Sequence, residues 1–295
     1  MICLVVPHGN DFLTLRQPLL RRLIQVGFDV LTVAPPGPWA KKVKGCQKRF
    51  WHLGRGSLNP KSEGSSVSEL YRIYKEYKPT LVHHFTIKPN IYGTIAARLA
   101  GVPLVVNTVT GLGYFWVEDS LRCRLIRTYL SYLYRLALNL ADGVIFQNRD
   151  DLKLLKGNPR SLVIPGEGVE IDQFDHNRIP KHSLARLRQE LNLNHGDKIV
   201  LLVSRMLWHK GVGEYVAAAS MVRKKIRGVA FLLVGPADPE NPAGVPLEQL
   251  KAWDDEGVVR YLGRREDIRE LMAIADLFVL PTYYREGIPR VLIEA

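Results

Sequence analysis

KIVLLVSRMLWHKGVGEYV, residues 198–216, decides the fold. Lys198–Val203 is a nearly unbroken apolar run rather than an alternating one, which marks a strand covered on both faces of a parallel sheet. A basic loop follows, and then a helix pattern over Gly213–Lys225. The same strand–loop–helix cycle continues in both directions. Downstream, Val229–Val234, Val258–Leu262 and Leu277–Leu280 read as strands, with helix patterns at Leu247–Asp255 and Arg265–Ala275. Upstream, Ile2–Val6, Asp29–Val33, Leu81–His84, Leu104–Val109, Val144–Gln147 and Leu162–Ile164 read as strands. A helix carrying Leu15, Leu19, Leu20, Leu23 and Ile24 on one stripe closes at Gly27. The polar stretch Gln173–Pro180 reads as an exposed linker. These elements imply an α/β chain of two Rossmann-like domains, residues 1–175 and 176–295, with ligands bound beyond the carboxyl ends of the strands and a cleft at the domain interface. The chain stops at Val291–Ala295 inside a helix pattern, and the second series has four strands, so the second domain is expected to be incomplete and the chain truncated.

A length of 295 residues suits two units that each bury a core, and 46% hydrophobic with 24% charged residues excludes a disordered or fibrous chain. Lys and Arg exceed Asp and Glu by 12, with +9 of that in residues 1–176 and +3 in residues 177–295. Such an excess calls for a polyanion, an anionic lipid or a phosphorylated small molecule. Cys3, Cys46 and Cys123 form no CxxC pair and no even set, which implies a reducing compartment. The first apolar run is too short for a signal segment, and no stretch reaches the roughly 18 apolar residues of a membrane span. A cytoplasmic placement is expected, with contact to a membrane surface left open.

Several loops carry chemistry. Ser204–Gly211 sets Arg205 and Lys210 at a strand end beside a helix start, which suits a diphosphate; the same run also reads as a solvated basic loop. Glu286 and Glu294 flank a helix that starts near Pro289, so two carboxylates face one ligand and can accept from vicinal hydroxyls, or else they are a dipole partner and an exposed Glu. Gly9, in the loop after the first strand, permits close backbone approach to an anion. His83 and His84 are neighbours on a strand and therefore point to opposite faces, so at least one belongs to the core. Lys88, in the loop beyond, is an anion contact. Gly111-Leu112-Gly113 lacks the third glycine of a dinucleotide fingerprint, and the chain has no P-loop, no GxSxG and no metal-ligand spacing. Leu121–Leu140 repeats apolar residues at 121, 125, 126, 129, 130, 133, 136 and 140 with Arg122, Arg124, Arg127 and Arg135 interleaved, and Phe115 and Trp116 lie ahead of it. This is either a core helix or an interfacial one that meets anionic lipid.

Taken together, SRMLWHKG (204–211), EGIPRVLIEA (286–295), IPGEGVEIDQF (164–174), HHFTIKPNIYG (83–93) and TGLGYFW (110–116) resemble the family 4 glycosyltransferases of the GT-B fold. The resemblance spans nearly the whole chain and implies retaining transfer from a UDP-sugar without a bound metal or other cofactor. It implies that Arg205 and Lys210 neutralise the donor diphosphate, that Glu286 holds the transferred sugar, that Glu294 holds the ribose and that Gly9 approaches the diphosphate. LWHKG and TIKPN are similar to the branch that extends polyprenyl-diphosphate-linked glycans with N-acetylhexosamines. In that reading Arg16, Lys88, Asn90 and Thr110 serve the acceptor, and the Leu121–Leu140 helix faces the inner surface of the plasma membrane. The first loop lacks the glycine-rich pattern of many members, and neither His83 nor His84 aligns with the family's N-domain histidine. A catalytically inactive fragment that binds nucleotide or membrane is the alternative. A nucleic-acid partner has only the charge in its favour, with no helix-turn-helix, RNA-recognition motif or zinc module.

Overall fold

The computed structural model describes residues 1–54, 60–112, 116, 120–156, 158–194, 196–284 and 286–295. Two compact units result, Met1–Glu167 with Arg285–Ile288, and Gly168–Tyr284 with Pro289–Ala295. The division falls at Glu167/Gly168, and four residues from late in the chain belong to the first unit, whereas the sequence pattern drew a single boundary at 175/176. The stretch read as a linker instead forms a short helix, Ile171–Phe174, and a 3-10 turn, His176–Arg178.

The first unit is built on β1 (Ile2–Val5), β2 (Val30–Ala34), β3 (Gln47–Phe50), β4 (Leu81–Phe85), β5 (Leu104–Val109), β6 (Gly143–Phe146) and β7 (Ser161–Val163). They form one parallel sheet in the order β3-β2-β1-β4-β5-β6-β7. Side chains alternate strictly across it. Cys3, Val5, Leu31 and Val33 join one apolar layer, and Leu4, Val6, Val30 and Ala34 join the other, so both faces are dry. Strand β3 has no counterpart in the sequence reading. Its residues, Gln-Lys-Arg-Phe, lie at the sheet edge and are only partly buried, so they carry no apolar signal.

The second unit holds β8 (Lys198–Val203), β9 (Val229–Val234), β10 (Arg260–Gly263) and β11 (Leu277–Phe278) in the parallel order β10-β9-β8-β11. Leu202, Phe231 and Leu233 face one apolar layer, and Ile199, Leu201, Leu232 and Val234 face the other. Strand order reverses at β1/β4 in the first sheet and at β8/β11 in the second. A parallel α/β sheet opens a crevice at the carboxyl ends beside such a reversal.

The Leu121–Leu140 helix, open in the sequence to a core or an interfacial reading, has both a buried and an exposed apolar face. Of its eight periodic apolar positions, Leu130 is buried and Ile126 and Leu133 are half-buried, whereas Leu121, Leu125, Tyr129, Leu136 and Leu140 are exposed. Its inner face is Leu130, Tyr134, Ala137 and Leu138. Ser120 caps its start, accepting from the Cys123 amide at 3.3 Å. The side chain of Arg122 lies outside the described residues, as do Gly113, Tyr114 and Phe115 of the TGLGYFW run.

Candidate active site

In the second unit, the loop after β8 lies at the β8/β11 reversal. Trp208–Lys210 makes one 3-10 turn that ends at Gly211 in the left-handed region, φ +80°. A Cβ there would meet the Pro281 carbonyl oxygen at 2.3 Å, so both backbone angle and space demand glycine. This turn draws Lys210 inward to 9% exposure, with its Nζ 5.4 Å from the centre of the Tyr284 ring. An ammonium kept largely out of water acts on an anion more strongly than a solvated one. Arg205 stays exposed and pairs with Asp238 at 3.0 Å. Glu294 ends the Arg290–Glu294 helix and pairs with Arg290 at 2.7 Å.

Beside this loop, a recess of about 280 Å³ opens over the ends of β8, β9 and β10, lined by Ser204, Gly235, Pro236, Arg264 and Arg265 among others. Gly235 has φ +141°, and a Cβ on it would lie 1.7 Å from the Ser204 carbonyl oxygen. The strand ends therefore touch backbone to backbone. Arg265 is locked by Asp267, at 2.8 and 2.6 Å, and by Glu190 at 2.8 Å. Sequence reading missed Asp238, Gly235 and the two arginines. The signal for Gly235 and the arginines is positional, since they directly follow β9 and β10, whereas Asp238 lies further along the loop after β9.

In the first unit, the β1/β4 reversal gathers the loop after β1 with the end of β4. Thr86 holds φ +73°, an unusual angle for a β-branched residue and a strain of about 1–3 kcal/mol. His84 is buried. Its Nδ1 lies 2.9 Å from Asn107 Oδ1 and its Nε2 3.0 Å from the Tyr74 hydroxyl, while Gly93 leaves room for the ring. Burial lowers its pKa to about 4, against an upward pull from Asn107. His83 points to the other face as expected, stacks on Phe85 at 4.1 Å and lies 2.7 Å from Thr108 Oγ1. Desolvation first, then the Arg16 guanidinium and His84, lower its pKa to about 3. Both imidazoles are neutral at pH 7.

The residues assigned to the acceptor fare differently. Asn90 is fully buried and donates to the Thr108 carbonyl at 3.0 Å and to the Tyr134 hydroxyl at 2.7 Å; it pins the core and is not an accessible acceptor contact. Arg16 is 6% exposed, lies over the Phe85 ring at 4.0 Å and pairs with Glu167 at 2.7 Å. Lys88 is engaged by Glu63 at 2.8 Å and by the Gly54 carbonyl at 2.7 Å. Thr110 is half-buried at the end of β5, next to Gly111, whose backbone bridges to Glu286. At Gly9, a Cβ would lie 1.9 Å from the Trp39 ring, so packing alone requires that glycine.

Glu286 therefore sits with the first unit. With Gly287 and Ile288 it closes an opening of about 440 Å³ over the ends of β6 and β7, whose other walls are Gln147, Asn148, Arg149, Val163 and Pro165. Asn148 caps the next helix, Arg149–Leu155, accepting from the Asp151 amide at 2.7 Å and donating to the Asp151 carboxylate at 2.8 Å. Gln147, which lines this opening, and Glu167, which accepts from the Gln147 side chain at 2.9 Å, were not singled out in the sequence. Among the described residues no group of three or more His, Cys, Asp or Glu side chains could hold a metal ion.

Two parallel α/β units with crevices at their strand ends are the arrangement of the GT-B fold, and comparison with known proteins gives the family. Residues 1–148 match the family model described as glycosyl transferase 4-like, and residues 185–295 match glycosyl transferases group 1. The chain belongs to this family and is a hexosyltransferase of the family 4, GT-B type. A relative in Campylobacter jejuni, N,N'-diacetylbacillosaminyl-diphospho-undecaprenol alpha-1,3-N-acetylgalactosaminyltransferase, is 30% identical over 293 residues, covering 97% of this chain and 75% of its own. The Escherichia coli UDP-Gal:alpha-D-GlcNAc-diphosphoundecaprenol alpha-1,3-galactosyltransferase is 27% identical over 78% of this chain and 58% of its own. Among solved structures, Anabaena Alr3699/HepE in complex with UDP and glucose superposes with a TM-score of 0.75 at 20% identity, covering all of this chain and 78% of that one.

Proposed function

We propose that the chain transfers an N-acetylhexosamine, with retention of anomeric configuration, from a UDP-sugar to a polyprenyl-diphosphate-linked glycan at the inner membrane surface. The observation that carries the donor half is Lys210, held inward at the β8/β11 reversal by a turn that only Gly211 allows. As the glycosidic bond breaks, negative charge grows on the departing diphosphate. Lys210 and Arg205 meet that charge in place, which stabilises the transition state more than the ground state. The two protein cations take the neutralising role, so no metal is required. Glu286 accepts hydrogen bonds from the transferred sugar. Glu294, its rotamer fixed by Arg290, accepts from the ribose. The recess over β8–β10 has the backbone approach and flanking arginines that suit the rest of the nucleotide. For the acceptor, the support is that the two relatives named above act on diphospho-undecaprenol-linked sugars.

The test is turnover of UDP-N-acetylhexosamine with an undecaprenyl-diphosphate-linked sugar acceptor, with the product's anomeric configuration read by NMR. Lys210→Ala and Glu286→Ala are each expected to lower kcat by about 100-fold or more, and a chelator is expected to change nothing. Wild-type rates in both variants would remove the site assignment, and an inverted product would remove retention. Calorimetry that finds no UDP binding would favour an inactive chain.

A further inference from the structure

Glu167 stands between Gly166 and Gly168, at φ +77° and +70°. Its Oε1 accepts from two donors, Arg16 Nη2 at 2.7 Å and Gln147 Nε2 at 2.9 Å. The side chains of the ion pair are 7% and 11% exposed, so the pair is poorly screened and its geometry is firm. Arg16 is braced in turn on the Phe85 ring. Gln147 continues the chain of contacts outward. Its backbone N–H donates to the Val109 carbonyl at 3.1 Å, and its Cβ, backbone carbonyl oxygen and side-chain Oε1 lie 2.8, 3.1 and 3.4 Å from where a Cβ on Gly287 would be. The Glu286 loop therefore rests backbone-first on Gln147, while Glu286 itself is bridged to Gly111.

From this we propose that Glu167 is a positioning residue: through Gln147 it sets where the Glu286 loop sits, and so where the Glu286 carboxylate meets the donor sugar. The role rests on the reading of Glu286 given above. One carboxylate oxygen orders two walls, Arg16 and Gln147, and loss of that oxygen frees the Gln147 amide to rotate under Gly287. A displacement of about 1 Å at a reacting centre costs up to about 100-fold in rate.

Gln147→Leu removes the link and leaves the Arg16–Glu167 pair, so folding is preserved. With the full chain, UDP-N-acetylgalactosamine and the undecaprenyl-diphosphate-linked acceptor, it is expected to lower kcat by about tenfold. The Kd for UDP alone, by calorimetry, should stay within about twofold, because UDP lacks the sugar that Glu286 holds. Glu167→Leu, which removes the accepting oxygen, should lose a similar factor, and the double variant should be no slower than the slower single variant. Multiplying losses, or wild-type kcat in Gln147→Leu, overturn the proposal. Glu286→Gln separates the two readings. If it is slow while Gln147→Leu is not, only the positioning role fails; if it turns over at the wild-type rate, the site reading fails and the positioning role with it.

Discussion

His83 and His84 show how much one residue's neighbours decide. Both are neutral in the folded chain, with pKa values of about 3 and about 4, against 6.5 in the unfolded chain. Between pH 6.5 and about 4 the unfolded state therefore binds more protons than the folded one. Stability is complete above 6.5 and is lost as pH falls toward 4, by about 1.4 kcal/mol per pH unit for the buried His84 once below its unfolded value. The melting midpoint is expected to fall through this window. Carboxylates add their losses only at lower pH: against an upward push from burial, the Val105 amide and Arg98 hold Asp142 below its ordinary 3.8, and Lys198 and the Ile199 amide do the same for Asp276. His84→Gln should be less stable at pH 7 and yet show a shallower decline from pH 6.5 to 4; an unchanged slope would rule out His84 as the titrating group. The sequence did reveal that adjacent histidines point to opposite faces. It did not reveal that Asn107 and Tyr74 enclose one of them, because those partners come from other elements.

At the scale of the element, Leu121–Leu140 is apolar on two sides, and periodicity alone cannot say which side meets the core. The structure leaves Leu121, Leu125, Tyr129, Tyr132, Leu136 and Leu140 outward, from 40% to 74% exposed, with the exposed Arg124 on the same helix. A row of Leu and Tyr with flanking arginine matches the interfacial layer of an anionic bilayer, where rings sit at headgroup depth and each basic residue near the surface contributes about 1 kcal/mol. Among the described residues no helix is long and apolar enough to cross a membrane; the contact we propose is through this exposed row. Co-sedimentation with phosphatidylglycerol vesicles is the measurement. Leu125→Glu with Tyr132→Glu places two charges in the row and should release most of the protein, while the UDP Kd stays the same. Retention of the double variant on vesicles would move the membrane contact elsewhere. Strands were legible for the opposite reason. β1, β8 and β9 are covered on both faces and spell nearly continuous apolar runs, whereas the edge strand β3 spells nothing.

At the scale of the whole molecule, the charge of +12 separates into two kinds of site. Arg205 and Lys210 stood out in the sequence because their loop begins at a strand end. The inward turn of Arg16 toward Glu167 was not readable, since it joins residues far apart in sequence. The proposed donor site uses a cation that is mostly out of water, and the proposed membrane face uses exposed ones, so salt should act on them unequally. Raising ionic strength from about 0.1 M to about 1 M shortens the screening length from about 10 Å to about 3 Å, which removes attraction between exposed charges and a lipid surface but only weakens short contacts in a dry site. Vesicle binding is expected to fall by about tenfold or more over that range, and the UDP Kd to rise by no more than about threefold. If UDP affinity fell as steeply as vesicle binding, the diphosphate would be held by solvated charges such as Arg205, and Lys210 would lose its assigned place. If neither changed, the membrane contact would be carried by Leu and Tyr burial alone, and the +9 of the first 176 residues would need another partner.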